Sequence, residues 1–313
     1  MQSRPPRGGR TRPGALTRSI PGKNSAPQTR KSLPNAPILS SLEVFDLATG
    51  PRVVLQSERR IEAPNWHPAG HLLVNCEGLL YRVPLDAPEL LPVDTGFADR
   101  CNNDHGYSPD GRRLILSHHR GNGAEMFLLP AAGGEPALIS PEPPSWFHGW
   151  APDGRMITYV AARGGSRVID VYTMAFGEPE QRLTHGEGQS DGPEFSADGG
   201  HIFYNCDRGG HAQIWVMKRD GTGQRPLFSD GQVNWFPHPS PDGKHLIYLA
   251  YPPGTLGHPR DLPVSIRACA ADGTNLRSLL TLTGGQGTMN VPNWSPDSRA
   301  FAFVRYADPA ENH

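Results

Sequence analysis

Long apolar runs are missing from this 313-residue chain. No stretch approaches the ~20 consecutive apolar residues that a membrane-spanning helix needs, which indicates no membrane span. The first 36 residues also lack the apolar run of roughly 7–15 residues that marks a secretory signal. Without such a signal the expected compartment is the cytoplasm, or the periplasm should the start of the chain be mis-assigned. Cysteine is scarce: Cys76, Cys101, Cys206 and Cys269 stand without CxxC spacing, so neither a zinc knuckle nor a disulfide framework is indicated. Cys76 and Cys206 fall at matching places, in Val-Asn-Cys and Tyr-Asn-Cys, and read as buried small hydrophobes. Charge is also sparse, at 19% Asp, Glu, Lys and Arg with a formal net of −1, so no global field favours nucleic acid. A Gly-x-Ser-x-Gly elbow and a phosphate-cradling Gly-x-x-x-x-Gly-Lys-Ser/Thr loop are both absent. Helical periodicity is absent throughout.

What the chain does contain is a repeat. Asn234-Trp235-Phe236-Pro237-His238-Pro239-Ser240-Pro241-Asp242-Gly243 reads as a strand entering a tight turn, and Lys244-His245-Leu246-Ile247-Tyr248 as a strand leaving it. Pro presets φ near −65°, Asp bonds back to its own backbone and Gly supplies φ > 0. Copies follow the same plan at Tyr107–Gly111, Trp150–Gly154, Phe195–Gly199 and Trp294–Ser298, with a worn one at Trp66–Gly70. Counted at the last turn residue, the steps are 41, 43, 45, 44 and 55. Five of the six copies carry an aromatic four residues before that point, Pro239 being the exception. A period in the low forties that holds four short strands is the pattern of propeller blades.

Each turn hairpin but the last is followed by two further strand-like runs, and one such pair, Ser41–Leu47 with Arg52–Gln56, precedes the first hairpin. The last hairpin, ending in Phe301–Arg305, has no pair after it. Six hairpins and six pairs make six whole blades only if the N-terminal pair joins the C-terminal hairpin, two strands against two. The expected architecture is therefore all-β: a six-bladed β-propeller over residues 38–306, with its N-terminal strands closing the last blade. Residues 1–37 read as a disordered basic leader, since residues 1–31 hold eight Arg or Lys and no acid. Residues 307–313 read as a tail. One insertion, Leu249–Pro263, accounts for most of the long fifth step.

The Ser-Pro-Asp-Gly-(Lys/Arg)-x-(Leu/Ile) hairpins, their spacing and the strand-swapped closure resemble the propeller of the TolB family. The resemblance implies the fold over residues 38–306 and no more; the absence of a recognised catalytic set is what favours a scaffold that presents loops to a protein partner or a small ligand. The sequence shows neither the secretion signal nor the α/β domain that precede the propeller in TolB itself, so a role in the cell-envelope Tol system does not carry over.

Chemistry in a propeller concentrates where loops enter each innermost strand at the channel mouth. Aligned on the turn, His105 and His148 share one column, and Asn65, Glu194, His238 and Asn293 share the next. With Asp104, Asp191 and Asn234 these form the expected ligand-binding set at the axial mouth. His105, His148 and His238 are the candidate metal ligands, and zinc, manganese or iron is the divalent cofactor that imidazole with carboxylate suits. His258, in the insertion, is placed to reach over as a lid residue. The same groups also suit plain hydrogen bonding to one another and to channel water. Two functions follow. One is a non-enzymatic, monomeric binding scaffold whose partner, protein or small ligand, sits at the mouth. The alternative is a metal-dependent carbohydrate-active enzyme similar to the oligogalacturonate lyases, whose axial Gln/His/His run is represented here only by Pro237-His238-Pro239.

Overall fold

The computed structural model describes residues 39–121 and 123–307. The expectations for the leader and for residues 308–313, and the compartment reading that rests on the N-terminus, lie outside the described residues. No helix among the described residues is long and apolar enough to cross a membrane.

The chain begins with β1 (Ser40–Asp46) and β2 (Gly50–Ser57), which belong to the last blade. The first blade follows as β3 (Ile61–Trp66), β4 (His71–Cys76), β5 (Leu79–Pro84) and β6 (Leu91–Pro92). The second is β7 (Cys101–Tyr107), β8 (Arg113–Arg120), β9 (Gly123–Pro130) and β10 (Ala137–Leu138). The third is β11 (Ser145–Trp150), β12 (Met156–Ala161), β13 (Asp170–Ala175) and β14 (Gln181–Arg182). The fourth is β15 (Ser190–Phe195), β16 (His201–Cys206), β17 (Gln213–Lys218) and β18 (Arg225–Pro226). The fifth is β19 (Val233–Pro239), β20 (His245–Tyr251), β21 (Leu262–Ala270) and β22 (Arg277–Gly284). Finally β23 (Ala300–Tyr306) pairs with β1 and completes a sixth sheet in the order β2-β1-β23. The result is a six-bladed all-β propeller. In the first four blades the outermost strand has two residues, which leaves little open edge.

The turn chemistry explains the hairpins. In four copies the Ser Oγ donates to the Asp carboxylate at 2.6–2.7 Å: Ser108 to Asp110, Ser196 to Asp198, Ser240 to Asp242 and Ser295 to Asp297. The same Oγ accepts the N–H five residues on, as His245 does to Ser240 at 2.9 Å. The turn's last residue must be left-handed, which Gly243 adopts at φ 70° and Ser298, without glycine's freedom, at φ 61°. Ser298 has a compensating contact, because its Oγ accepts the Asp242 N–H of the neighbouring turn at 3.0 Å.

Blades are joined by the aromatic column and by polar latches. Trp150 Nε1 donates back to the Gly106 carbonyl at 3.1 Å, and Trp294 Nε1 to the His238 carbonyl at 2.9 Å. In the other direction Asn75 donates to the Cys101 and Asn102 carbonyls at 3.0 and 2.8 Å. Asn205 Oδ1 accepts the Phe236 N–H at 3.1 Å. Between blades lie apolar layers, such as Leu42, Ile61, Leu72, Val74 and Val304 where the sixth blade meets the first.

The sixth blade departs from the expected two strands against two. Its sheet has three strands, and the segment before β23 reaches it through one bridge, Trp294 with Phe301, and three backbone bonds, Val304 N–H to Thr288, Ala302 N–H to Asn293 and Ser295 N–H to Ala300. Pro292 lacks an N–H, and Gly285 and Gly287 sit at φ 120° and 95°, so this innermost segment cannot form a regular ladder. The closure itself is regular: β1 and β23 match over seven residue pairs, from Ser40 with Tyr306 to Asp46 with Ala300. Phe45 stacks on its partner Phe301, centroids 5.1 Å apart, and Arg305 bridges to Glu43 at 2.8 Å.

Deleting residues 38–57 should therefore strand β23 and its apolar face without a partner. The expected outcome is loss of soluble, cooperatively unfolding protein, read by the soluble fraction and near-UV circular dichroism. A variant that melts like the full chain would contradict closure through β1.

Candidate functional site

Apart from Asn293, the residues expected on loops at the channel mouth lie instead within the innermost strands, close to bulges. Ladder register breaks between Glu62 and Asn65, Cys101 and His105, Phe147 and Gly149, Asp191 and Glu194, and Trp235 and His238. In three blades the cause is local. Ala63, Gly192 and Phe236 turn left-handed, at φ 51°, 58° and 56°, and each precedes a proline that has no N–H to give the ladder. In the first and fourth blades the residue before the bulge, Glu62 or Asp191, lines the mouth, whereas the residue after the proline, Asn65 or Glu194, does not.

At the mouth is a cavity of about 440 Å³, lined by residues of the first five blades, the insertion and the Gln286–Asn290 segment. Of the expected site residues, Asp104, His148 and Asp191 line it. His148 Nε2 pairs with Asp191 Oδ1 at 2.9 Å. Burial opposes the charged imidazolium, but Asp191 and the nearby charges of Asp104 and Glu194 outweigh it and raise the His148 pKa. Burial likewise opposes the Asp191 carboxylate, and His148, then His258 and the Gly192 N–H, outweigh it and hold its pKa low. Asp104 is different. Burial dominates there, Asp191 adds repulsion, and its pKa is pushed up to about 6 despite His148 and a bond from Asn102.

His258 does reach over the mouth. Its ring packs edge-on against Trp235 and Phe236, centroids 4.5 and 5.1 Å away, and its Nε2 lies 3.7 Å from Asp191 Oδ2. Its Nδ1 meets Gln286 Oε1 at 2.6 Å. The insertion around it is tied to the first blade by Arg60 with Asp261, at 3.1 Å, and Arg260 with Glu62, at 3.3 Å.

The other expected residues do not join the mouth. Asn65 is a latch, donating to the Pro292 carbonyl at 2.7 Å and accepting the Tyr107 N–H at 2.9 Å. Asn293 donates to the Ala302 carbonyl, and Asn234 to Asp230 and Gln213. Glu194 and His238 form a separate buried pair deeper in the channel, Oε1 to Nδ1 at 2.5 Å, while His238 Nε2 donates to the Met289 carbonyl at 3.1 Å. Because Nε2 must hold a proton for that carbonyl, a single further proton lies between Glu194 and Nδ1. Burial, only partly offset by His238, raises the Glu194 pKa. His105 is fully buried, burial pushes its pKa down to about 4, and neither ring nitrogen completes a hydrogen bond among the described residues.

The three imidazoles expected to share a metal ion are not brought together. Among the described residues no three His, Cys, Asp or Glu side chains are grouped to hold a metal ion. His148 is committed to Asp191 and His238 to Glu194, while His105 lies outside the cavity lining. The alignment also missed Glu62, Arg260 and Gln286. Glu62 was open to detection, since Glu62-Ala-Pro-Asn and Asp191-Gly-Pro-Glu occupy the same repeat positions. Arg260 and Gln286 come from segments outside the repeat and leave no such signal.

Ring, turn wiring and polar axial mouth together define a six-bladed propeller of the Ser-Pro-Asp-Gly repeat type. Residues 149–257 match the TolB β-propeller domain model. The uncharacterised protein Atu1656 of Agrobacterium fabrum (strain C58) is 46% identical over 290 residues, 91% of this chain and 98% of that protein. A solved structure from Agrobacterium tumefaciens, provisionally assigned as a TolB, has 46% identity and a TM-score of 0.85 over 87% of this chain and 99% of its own. The chain belongs to the TolB-like β-propeller family. TolB from Acinetobacter baumannii, at 18% identity and TM-score 0.60, covers 80% of this chain and 65% of its own. An oligogalacturonate lyase with manganese, at 14% and 0.53, covers 83% and 77%. These two share the fold alone.

Two outcomes follow from the site. Asp104 has a folded pKa near 6 against an ordinary 3.8, so its ionisation destabilises the fold, fully above pH 6 and not at all below about pH 4. Asp104→Asn should thus stabilise the protein by on the order of 1–3 kcal/mol at pH 7.5, with the gain vanishing towards pH 4. Urea unfolding at the two pH values measures this, and a destabilised variant at pH 7.5 would refute it. Separately, Glu194→Ala leaves His238 Nδ1 buried without its partner. It should cost about 1–3 kcal/mol in the same assay. An unchanged midpoint would show that the pair contributes nothing to the ring.

Proposed function

We propose that this protein is a binding scaffold, with one binding site per chain at the channel mouth for a small ligand or a protruding group of a protein partner. The observation that carries this is the 440 Å³ axial cavity, whose wall draws side chains from separate blades and from the insertion. A cavity of that size with convergent polar groups is the usual form of a ligand site. The insertion gives the mouth one movable wall, because Arg260 is half exposed whereas its partner Glu62 is buried. A ligand that displaces Arg260 must itself offer a donor to Glu62. The metal-dependent carbohydrate-active alternative requires His105, His148 and His238 to share an ion, and their separate partners do not favour it.

The test is photo-crosslinking. A photoreactive amino acid replaces Trp146 or Gln286 at the mouth, or Val53, which is 53% exposed on the outer strand of the sixth blade. After irradiation in extract of a cell expressing the protein, intact mass reports protein and small-molecule adducts alike. Adducts are expected from the two mouth positions and not from Val53. Adducts from Val53 alone, or none from the mouth, would overturn the reading.

A further inference from the structure

The cavity at the mouth holds three carboxylates, and the protein supplies cations to two of them. Glu62 meets Arg260 at 3.3 Å and a bond from Asn103, and Asp191 meets His148 at 2.9 Å and His258 at 3.7 Å. Asp104 is 8% exposed and lines the same cavity, yet its side chain accepts only from the neutral amide of Asn102, at one oxygen. Among the described residues it forms no ion pair, and its other oxygen is left to the cavity. A buried carboxylate with no direct ion pair is costly, since the His148 charge acts on it only from beyond salt-bridge distance, and a cation from outside the chain would offset that cost. The same cavity also has an apolar part, with Trp146, Val160, Ile169 and Phe236 in its lining.

We propose that the mouth binds a primary ammonium group carried on an apolar stem, with Asp104 receiving the ammonium and the Trp146–Ile169 side of the wall taking the stem. This deepens the reading of the mouth as a binding site and rests on it. The charge balance disfavours an anion, which would face Glu62, Asp104 and Asp191 while His148 and Arg260 are already engaged. A guanidinium fork needs both oxygens of one carboxylate, and Asn102 holds one of those of Asp104. An ammonium is a point charge with three donors, which suits one carboxylate oxygen with amide oxygens around it. Trp146 adds an aromatic face that attracts a cation. The ammonium has two sources, a free small amine or a lysine side chain of a partner.

The experiment uses the full chain at constant ionic strength, with thermal shift and calorimetry. The probes are pentylamine, its neutral and anionic counterparts 1-pentanol and hexanoate, and a blocked tripeptide with a central lysine or norleucine. Pentylamine or the lysine peptide should raise the melting temperature and bind at one per chain, while pentanol, hexanoate and the norleucine peptide should not. Asp104→Asn should weaken that binding at least tenfold. As this variant is expected to be more stable, the loss would not reflect unfolding. Saturation by pentylamine identifies a small-molecule source, and binding of the lysine peptide alone identifies a partner's side chain. Equal binding by pentanol, no binding by either ammonium probe, or unchanged binding in Asp104→Asn would overturn the proposal. If the ammonium probes fail while crosslinks from Trp146 and Gln286 persist, this inference falls and the binding-scaffold reading stands. If both fail, both fall.

Discussion

The pairing of β1 with β23 is the constraint on which the rest depends. Seven residue pairs join the two ends of the described chain, and they bring together Glu43 and Arg305, which are 262 positions apart. Every other blade is built from consecutive strands and has no need of the ring. The axial mouth has no existence without it, because its wall is assembled from residues that meet only when the blades are held in a circle. Closure by a hydrogen-bonded ladder, with the Phe45–Phe301 stack on one face, makes that circle a property of the whole chain. Loop-closure entropy is the opposing term, and it grows slowly with length, so an extended antiparallel ladder can offset it.

Within the ring, the repeated parts and the irregular parts do different jobs. The Ser-Asp turns carry the same bonds in four blades, and the tryptophans and amides stitch each blade to the next. These contacts are local and periodic, which is why their residues recur. The bulges are where periodicity is broken to a purpose. At Ala63, Gly192 and Phe236 the backbone takes left-handed angles ahead of a proline, and in the first and fourth blades the residue just before, Glu62 or Asp191, lines the mouth.

The energetics of the mouth run against those of the fold. His148 and Asp191 stabilise each other against burial, whereas Asp104 is held in an environment that disfavours its charge. A chain optimised only for stability would place an amide there. The insertion adds the second non-structural element: His258 packs on Trp235 and Phe236 and the Arg60–Asp261 pair fastens it, but the Arg260–Glu62 contact is half exposed. Repeated scaffold and inserted loop meet at one cavity, the usual division of labour in propellers and barrels.

The fold was legible because its signals are one-dimensional. A turn that recurs every forty-odd residues, an aromatic four places before its end and an unpaired hairpin at the C-terminus determine blades, number and closure without any distance being known. They also determined which residues crowd the axis, Asp104, His148 and Asp191 among them, and they placed Glu62 in the same repeat position as Asp191. The alignment column could not decide who touches whom. His148 chose Asp191 and His238 chose Glu194, because the register of each innermost strand breaks at a bulge that the alignment does not show. Asn65 and Asn293 became latches for the same reason, since the backbone groups nearest to them were orphaned by Pro292 and the irregular sixth blade. Arg260 and Gln286 belong to no repeat at all, and only the tertiary structure brings them to the mouth. Periodicity in a sequence reports the contacts that every blade shares, whereas a site is made of the contacts that no two blades share.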